Sequence, residues 1–356
     1  NGPGSWTDLG NLTGPQGPQG PIGPRGADGT DILPLANTWT AVNTFTAGLN
    51  STGAGTGSFR AGYNAGLTTQ GANAVAVGNT AGLTSQGAVA TAVGYFAGKT
   101  TQGGGATAIG RQAGEITQGV SSVAVGHLSG NNDQGETSVA VGYSAGSNTQ
   151  GDNSVAVGNQ AGTTTQGTQS VAVGRYAGQT TQSSNAVAVG VNAGNILQGA
   201  STTAVGTGAG QTSQGDNSVA LGRLAGNSTQ GESAVAVGNS AGNDTQGTNA
   251  VAVGISAGKT TQGNNAVAVG ASSGFTGQGS SAVAIGYNAA TSTQGISSVA
   301  VGNQAGKTTQ GNYGVAIGFN AGNDSQGGNG VAVGRDAATT GQGIYSTAVG
   351  YQAGNN

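Results

Sequence analysis

Along most of this chain the branched apolar residues come in pairs, two apart, and the pairs return every sixteen residues. Val155-Ala156-Val157-Gly158 is followed by Val171-Ala172-Val173-Gly174 and then by Val187-Ala188-Val189-Gly190. The pattern holds from Val75 to Thr347 as eighteen copies without an insertion or deletion. A degenerate copy, Phe59-Arg60-Ala61-Gly62, precedes them in the same register. A fixed period of this size marks a repeat architecture, in which each copy is one unit stacked on the next.

Counting from the valine, position 1 is Val, or Thr at 91, 107, 203 and 347, and position 3 is Val, Ile or Leu. Residues two apart share one face of a strand, and β-branched residues favour strands. Position 2 is Ala in every copy after the first, and position 16 is small (Ala74, Ser122, Ser154, Thr202, Gly314). The pattern therefore predicts a strand from position 16 to 3. One face is branched and apolar, and the other is small enough for a second backbone to approach closely. Each coil is expected to bury two Val-sized groups and some alanines.

Position 4 is Gly in every copy, as in Gly78, Gly94, Gly158, Gly174, Gly190 and Gly254. Position 8 is Gly except at Ala290 and Ala338, and position 13 is Gly except at Ser183. Fixed glycines supply positive φ or close backbone approach. They predict a turn at 4, a short strand from 5 to 7, and a turn through 8 to 13. Every proline lies before residue 35, as a continuous strand ladder requires. The fold class is all-β, a parallel β-roll or β-solenoid of 16-residue repeats in nineteen coils.

Position 12 is Gln in every copy that reaches it, including Gln86, Gln102, Gln118, Gln150, Gln166, Gln198, Gln230, Gln262 and Gln310. An unvarying amide beside variable neighbours points to a structural side-chain ladder rather than a ligand array. Positions 5, 6, 9, 10, 14 and 15 vary and are read as outward, where nothing dictates identity.

Composition narrows the function. Glycine supplies 74 residues, charged residues are 6% and the net charge is −3, which favours an ordered array over a solvated coil. A pI near 4.9 leaves no basic footprint for nucleic acid. No apolar run is long enough for membrane insertion, and no signal-peptide pattern is present. Without cysteine the redox compartment is undetermined. With no methionine, and with Gly354-Asn355-Asn356 stopping partway through a repeat without a cap, the chain is expected to be processed or part of a longer one.

The single histidine, His127, cannot build a nucleophilic triad within one chain, and zinc lacks its usual donors. The acids scatter over different columns, with Asp133 and Glu136 among the few close together, so a calcium-binding roll is not indicated. No catalytic residue, metal site or cofactor is expected, and the chain is read as not an enzyme. Threonine pairs at Thr100-Thr101, Thr164-Thr165, Thr260-Thr261 and Thr308-Thr309 leave ice binding as a minor alternative.

Four segments follow. Residues 1–13 read as an N-terminal linker. Residues 14–29, G-P-Q-G-P-Q-G-P-I-G-P-R-G-A-D-G, keep glycine in phase at every third position, the collagen pattern, which needs three chains. Residues 30–58 form a β connector and hinge, in which Asn37-Thr38-Trp39-Thr40-Ala41-Val42-Asn43-Thr44-Phe45-Thr46 is similar to segments of phage tail fibres. Residues 59–356 form the roll.

The run Asn153-Ser154-Val155-Ala156-Val157-Gly158-Asn159-Gln160-Ala161 resembles the head repeat of YadA-like trimeric autotransporter adhesins, N-S-V-A-I-G-x-x-S. Asn185 to Gly190 and Asn217 to Gly222 match it again. The resemblance covers the roll and implies a homotrimeric left-handed parallel β-roll, with one coil per repeat. The repeat here is longer than the family's, with an added Thr-Gln-Gly turn. Together with the collagen-like run, the resemblance points to a structural and adhesive trimeric fibre.

A phage tail or side fibre is the leading form of that fibre. It would be displayed on the virion surface or otherwise extracellular, partnered by other virion fibre or baseplate proteins and by a host cell-surface glycan or protein receptor. The alternatives are a bacterial autotransporter-type adhesin, which a C-terminal membrane anchor in the full gene would distinguish, and a purely structural extracellular filament. Tyr95, Phe96, Tyr176, Tyr287 and Phe319 are the candidate glycan or receptor contacts.

Overall fold

The computed structural model describes residues 55–355. The linker, the collagen-like run and most of the connector lie outside them. Within them every copy of the repeat makes one coil of a parallel β-solenoid. Positions 1 to 3 form nineteen three-residue strands, from Phe59–Ala61 to Thr347–Val349, in one continuous sheet. Every pairing is parallel and offset by one repeat, as in Val155↔Val171, Ala156↔Ala172 and Val157↔Val173. At the spacing of neighbouring strands, about 4.8 Å, the stack is roughly 90 Å long. Residues 55–58 already occupy positions 13 to 16: the Gly55 amide donates to the Gln70 carbonyl, and Ser58 is buried.

The second strand is not where the sequence pattern placed it. Positions 5 to 7 are a turn, and positions 11 and 12 form the strand, as in Thr165–Gln166. Position 6 takes a left-handed backbone in every coil, for example Gln160 at φ 54°, which an extended strand cannot accommodate. These two-residue strands make one six-stranded sheet, Thr101–Gln102 to Thr181–Gln182, and one seven-stranded sheet, Ser213–Gln214 to Thr309–Gln310. Interruptions fall at Ser85, Leu197, Ser325 and Gly341, where position 11 is itself left-handed.

The turns are laddered as well. The position 8 amide donates to the position 7 carbonyl of the next coil (Gly162 to Ala177, 2.9 Å), and position 13 donates to the next glutamine carbonyl (Gly151 to Gln166, 2.7 Å). Close stacking explains the glycines. A Cβ on Gly158, already at φ +134°, would lie 2.6 Å from the Gly174 carbonyl oxygen, and one on Gly167 would lie 2.5 Å from the Ser184 amide. A Cβ on Gly162 would lie 2.8 Å from the Gln166 amide oxygen.

The core also differs from expectation. The small face points inward. Except in the end coils, where Arg60, Gln342, Ser346 and Ala353 are half-buried, the alanines at positions 2 and 7, the small residues at 16 and the glutamines at 12 are buried and fill the coil. The valine face points outward and is only half covered, with Ile109, Leu221, Ile285 and Ile317 at 40–45% exposure. Ladder, turns and alanine packing leave the cross-section too narrow for branched side chains, so none of the Val-sized groups counts as core.

Candidate functional site

The interior column is the most regular feature. Each glutamine at position 12 sends its side chain across the coil, and its Nε2 donates to the position 1 carbonyl of its own repeat. Gln166 reaches Val155 at 2.8 Å, and Gln198 reaches Val187 at 2.9 Å. The second proton goes to the next glutamine's Oε1, as from Gln102 to Gln118 (3.1 Å) and from Gln150 to Gln166 (3.1 Å). Gln86, Gln230, Gln262 and Gln310 repeat the arrangement with their own neighbours. The relay is broken where the Oε1 atoms of Gln86, Gln134, Gln230 and Gln294 lack a partner. Most of these side chains are 1–2% exposed, so they present nothing to a ligand.

The outer surface carries the residues with recognition chemistry. Tyr95 and Phe96 stack with ring centroids 3.9 Å apart, and the Lys99 ammonium lies 4.3 Å from the Phe96 centroid. Lys99 also pairs with Glu115 (3.3 Å), which accepts from Gln112 (2.9 Å) and Asn131 (3.2 Å). This network braces the stacked rings from the two coils that follow. Tyr176 is half-buried, with the Arg175 guanidinium 5.1 Å from its centroid. Tyr287 and Phe319 are exposed on later coils. The five candidates therefore do not converge on one pocket. Tyr95, Tyr287 and Phe319 share the position 5 column, and Phe96 and Tyr176 share the position 6 column at φ 59° and 60°. A left-handed backbone costs a non-glycine residue about 1–2 kcal/mol, so the coil's turn imposes it.

Several outward positions are more constrained than variability suggested. Asn at position 9 (Asn131, Asn195, Asn227, Asn243, Asn323, Asn355) donates to the position 6 carbonyl of the previous coil at 2.6–3.1 Å. Asp152, Asp216, Asn264 and Asn312 at position 14 accept from the position 14 amide of the coil before. The sequence signal for this role is the recurrence of Asn within one column.

His127 lies edge-on to Tyr143, one coil away, at 5.4 Å. Among the described residues no cluster of three or more His, Asp or Glu side chains is placed to hold a metal ion, and no helix is long and apolar enough to cross a membrane.

The YadA head domain repeat model matches residues 134–161, 150–177, 278–305, 294–321 and 325–353. The model is of two repeat copies, and the first four matches each run from a buried glutamine through two strands to the inward alanine at position 7, so each takes in the strands of two successive coils. Neither a curated protein nor a solved structure matches the chain. Over these stretches the coils of the roll are similar to YadA head domain repeats.

Proposed function

We propose that this chain forms a homotrimeric, non-enzymatic adhesive fibre on a surface, in which the roll is a rigid shaft and three parallel copies convert weak contacts into avidity. One observation supports association of copies: a nineteen-stranded sheet turns its Val, Ile and Leu side chains outward while the coil fills its own core with alanine and glutamine, and the YadA-like repeats and the collagen-like run favour three of them. Covering the remaining half of each branched side chain would contribute about 1 kcal/mol. Along nineteen coils that is ample to hold copies together, and the occupants whose repeat matches coil for coil are further copies of this chain. YadA-like repeats support the adhesin class.

A phage tail or side fibre is the form of this reading favoured by the collagen-like residues 14–29 and by residues 37–46. An autotransporter adhesin is the form favoured by the head repeats. Receptor contacts are assigned to the outward columns at positions 5 and 6. Light scattering of the full chain should give about three times 33.5 kDa, and a particle of 33.5 kDa would overturn the proposal.

A further inference from the structure

The position 5 column is far from random. Its nineteen residues hold six of the chain's thirteen Tyr and Phe, four of its six Arg and its only His. Their order also repeats. Tyr63, Asn79, Tyr95, Arg111 and His127 occupy five successive coils, and Tyr287, Asn303, Phe319, Arg335 and Tyr351 occupy five others, fourteen coils later. Both sets read ring, Asn, ring, Arg, ring. Between them the column holds Tyr143, directly after His127, and then no aromatic residue from Asn159 to Ala271.

Within each set the rings recur on every second coil, about 9.6 Å apart, and outside the sets Tyr143 sits edge-on to His127 on the very next coil. Aromatic side chains stabilise one another at centroid separations of about 4.5–7 Å, so mutual ring stacking does not account for the alternation. In the second set the arginine packs between its rings: the Arg335 guanidinium lies 5.8 Å from the Phe319 centroid and 5.8 Å from that of Tyr351. Arg335 meets Asp336 through Nε at 3.2 Å, and its side chain is 67% exposed. Tyr63, Tyr95, Tyr287, Phe319 and Tyr351 are all exposed. Spacing is held by the backbone ladder, as from the Asp336 amide to the Phe319 carbonyl (2.8 Å) and from the Gln112 amide to the Tyr95 carbonyl (2.8 Å).

We propose that each five-coil array is a binding site for an extended acidic glycan lying along the solenoid axis. Alternate sugars would stack on the rings, the guanidinium would pair with a carboxylate or sulfate between them, and the asparagine would bond hydroxyls. An extended β-linked chain built of disaccharide units repeats over about the two-coil interval. Arginine suits a carboxylate or sulfate because its planar fork matches the anion's paired oxygens. This rests on the adhesive reading and names its ligand class.

Titration of the full chain with hyaluronan oligosaccharides, which alternate a uronic acid with an N-acetylhexosamine, should show two sites per chain. Affinity should exceed that for neutral cello-oligosaccharides of equal length. Tyr95→Ala combined with Phe319→Ala should weaken binding at least tenfold without moving the melting temperature. Arg111→Gln combined with Arg335→Gln should erase the preference for the acidic chain. No binding by the native protein, or native-like binding by the Tyr95/Phe319 variant, overturns the proposal. If that variant still attaches to a host surface, adhesion survives and the arrays do not; a single-chain mass removes the fibre reading itself.

Discussion

At the scale of the residue, Gln198 shows how the coil is held together. It is 1% exposed and donates to Val187 and to Gln214 at 2.9 and 3.3 Å. Alanine there leaves two buried acceptors short of a donor and opens a gap in a close-packed column. Such losses cost about 2–4 kcal/mol together. Gln198→Ala should therefore lower the melting temperature while leaving glycan titration at positions 95 and 319 unchanged. Lost binding at an unchanged melting temperature would contradict a structural role. The invariance of this glutamine was legible in the sequence. Its direction was not, because two faces competed for the interior and nothing in a strand pattern states how wide the coil is. Alanine at positions 2 and 7, stacked with the amide between, decides the width and turns the valines out.

At the scale of the element, the second strand was misplaced because its signal is two residues long. Thr-Gln at positions 11 and 12 resembles turn chemistry more than a strand, and the left-handed residue at position 6 has no fixed identity to betray it. The interruptions of this strand do have a pattern. Position 11 is left-handed at Ser85, Leu197, Ser325 and Gly341, and at no threonine of that column. A β-branched side chain resists that backbone. Leu197→Thr should therefore straighten this coil, join the six- and seven-stranded sheets, and slow amide hydrogen exchange around positions 181 and 197. Unchanged exchange would mean that the neighbouring coils, not the side chain, set the flip.

At the scale of the whole molecule, labour is divided by direction. Inward positions are nearly constant and build the coil, valines and their relatives form an outer sheet face, and the turn at position 5 carries the two arrays. The number of coils, their register and the family resemblance were legible from one sixteen-residue period. The order of the arrays lies in the sequence as well, but their exposure and the ladder that holds their rings one above another do not.

Few charges are available to set up association at long range, so apolar contact along the valine face must do it. The decisive measurement is the solution mass of the chain carrying Asp in place of Val157, Val173 and Val189, three successive outward residues of the long sheet. Packing of three copies through this face predicts that the native mass of three chains falls to 33.5 kDa. The parallel-sheet signal of the coil, whose interior these changes do not touch, should remain. A three-chain mass that survives all three charges would contradict it.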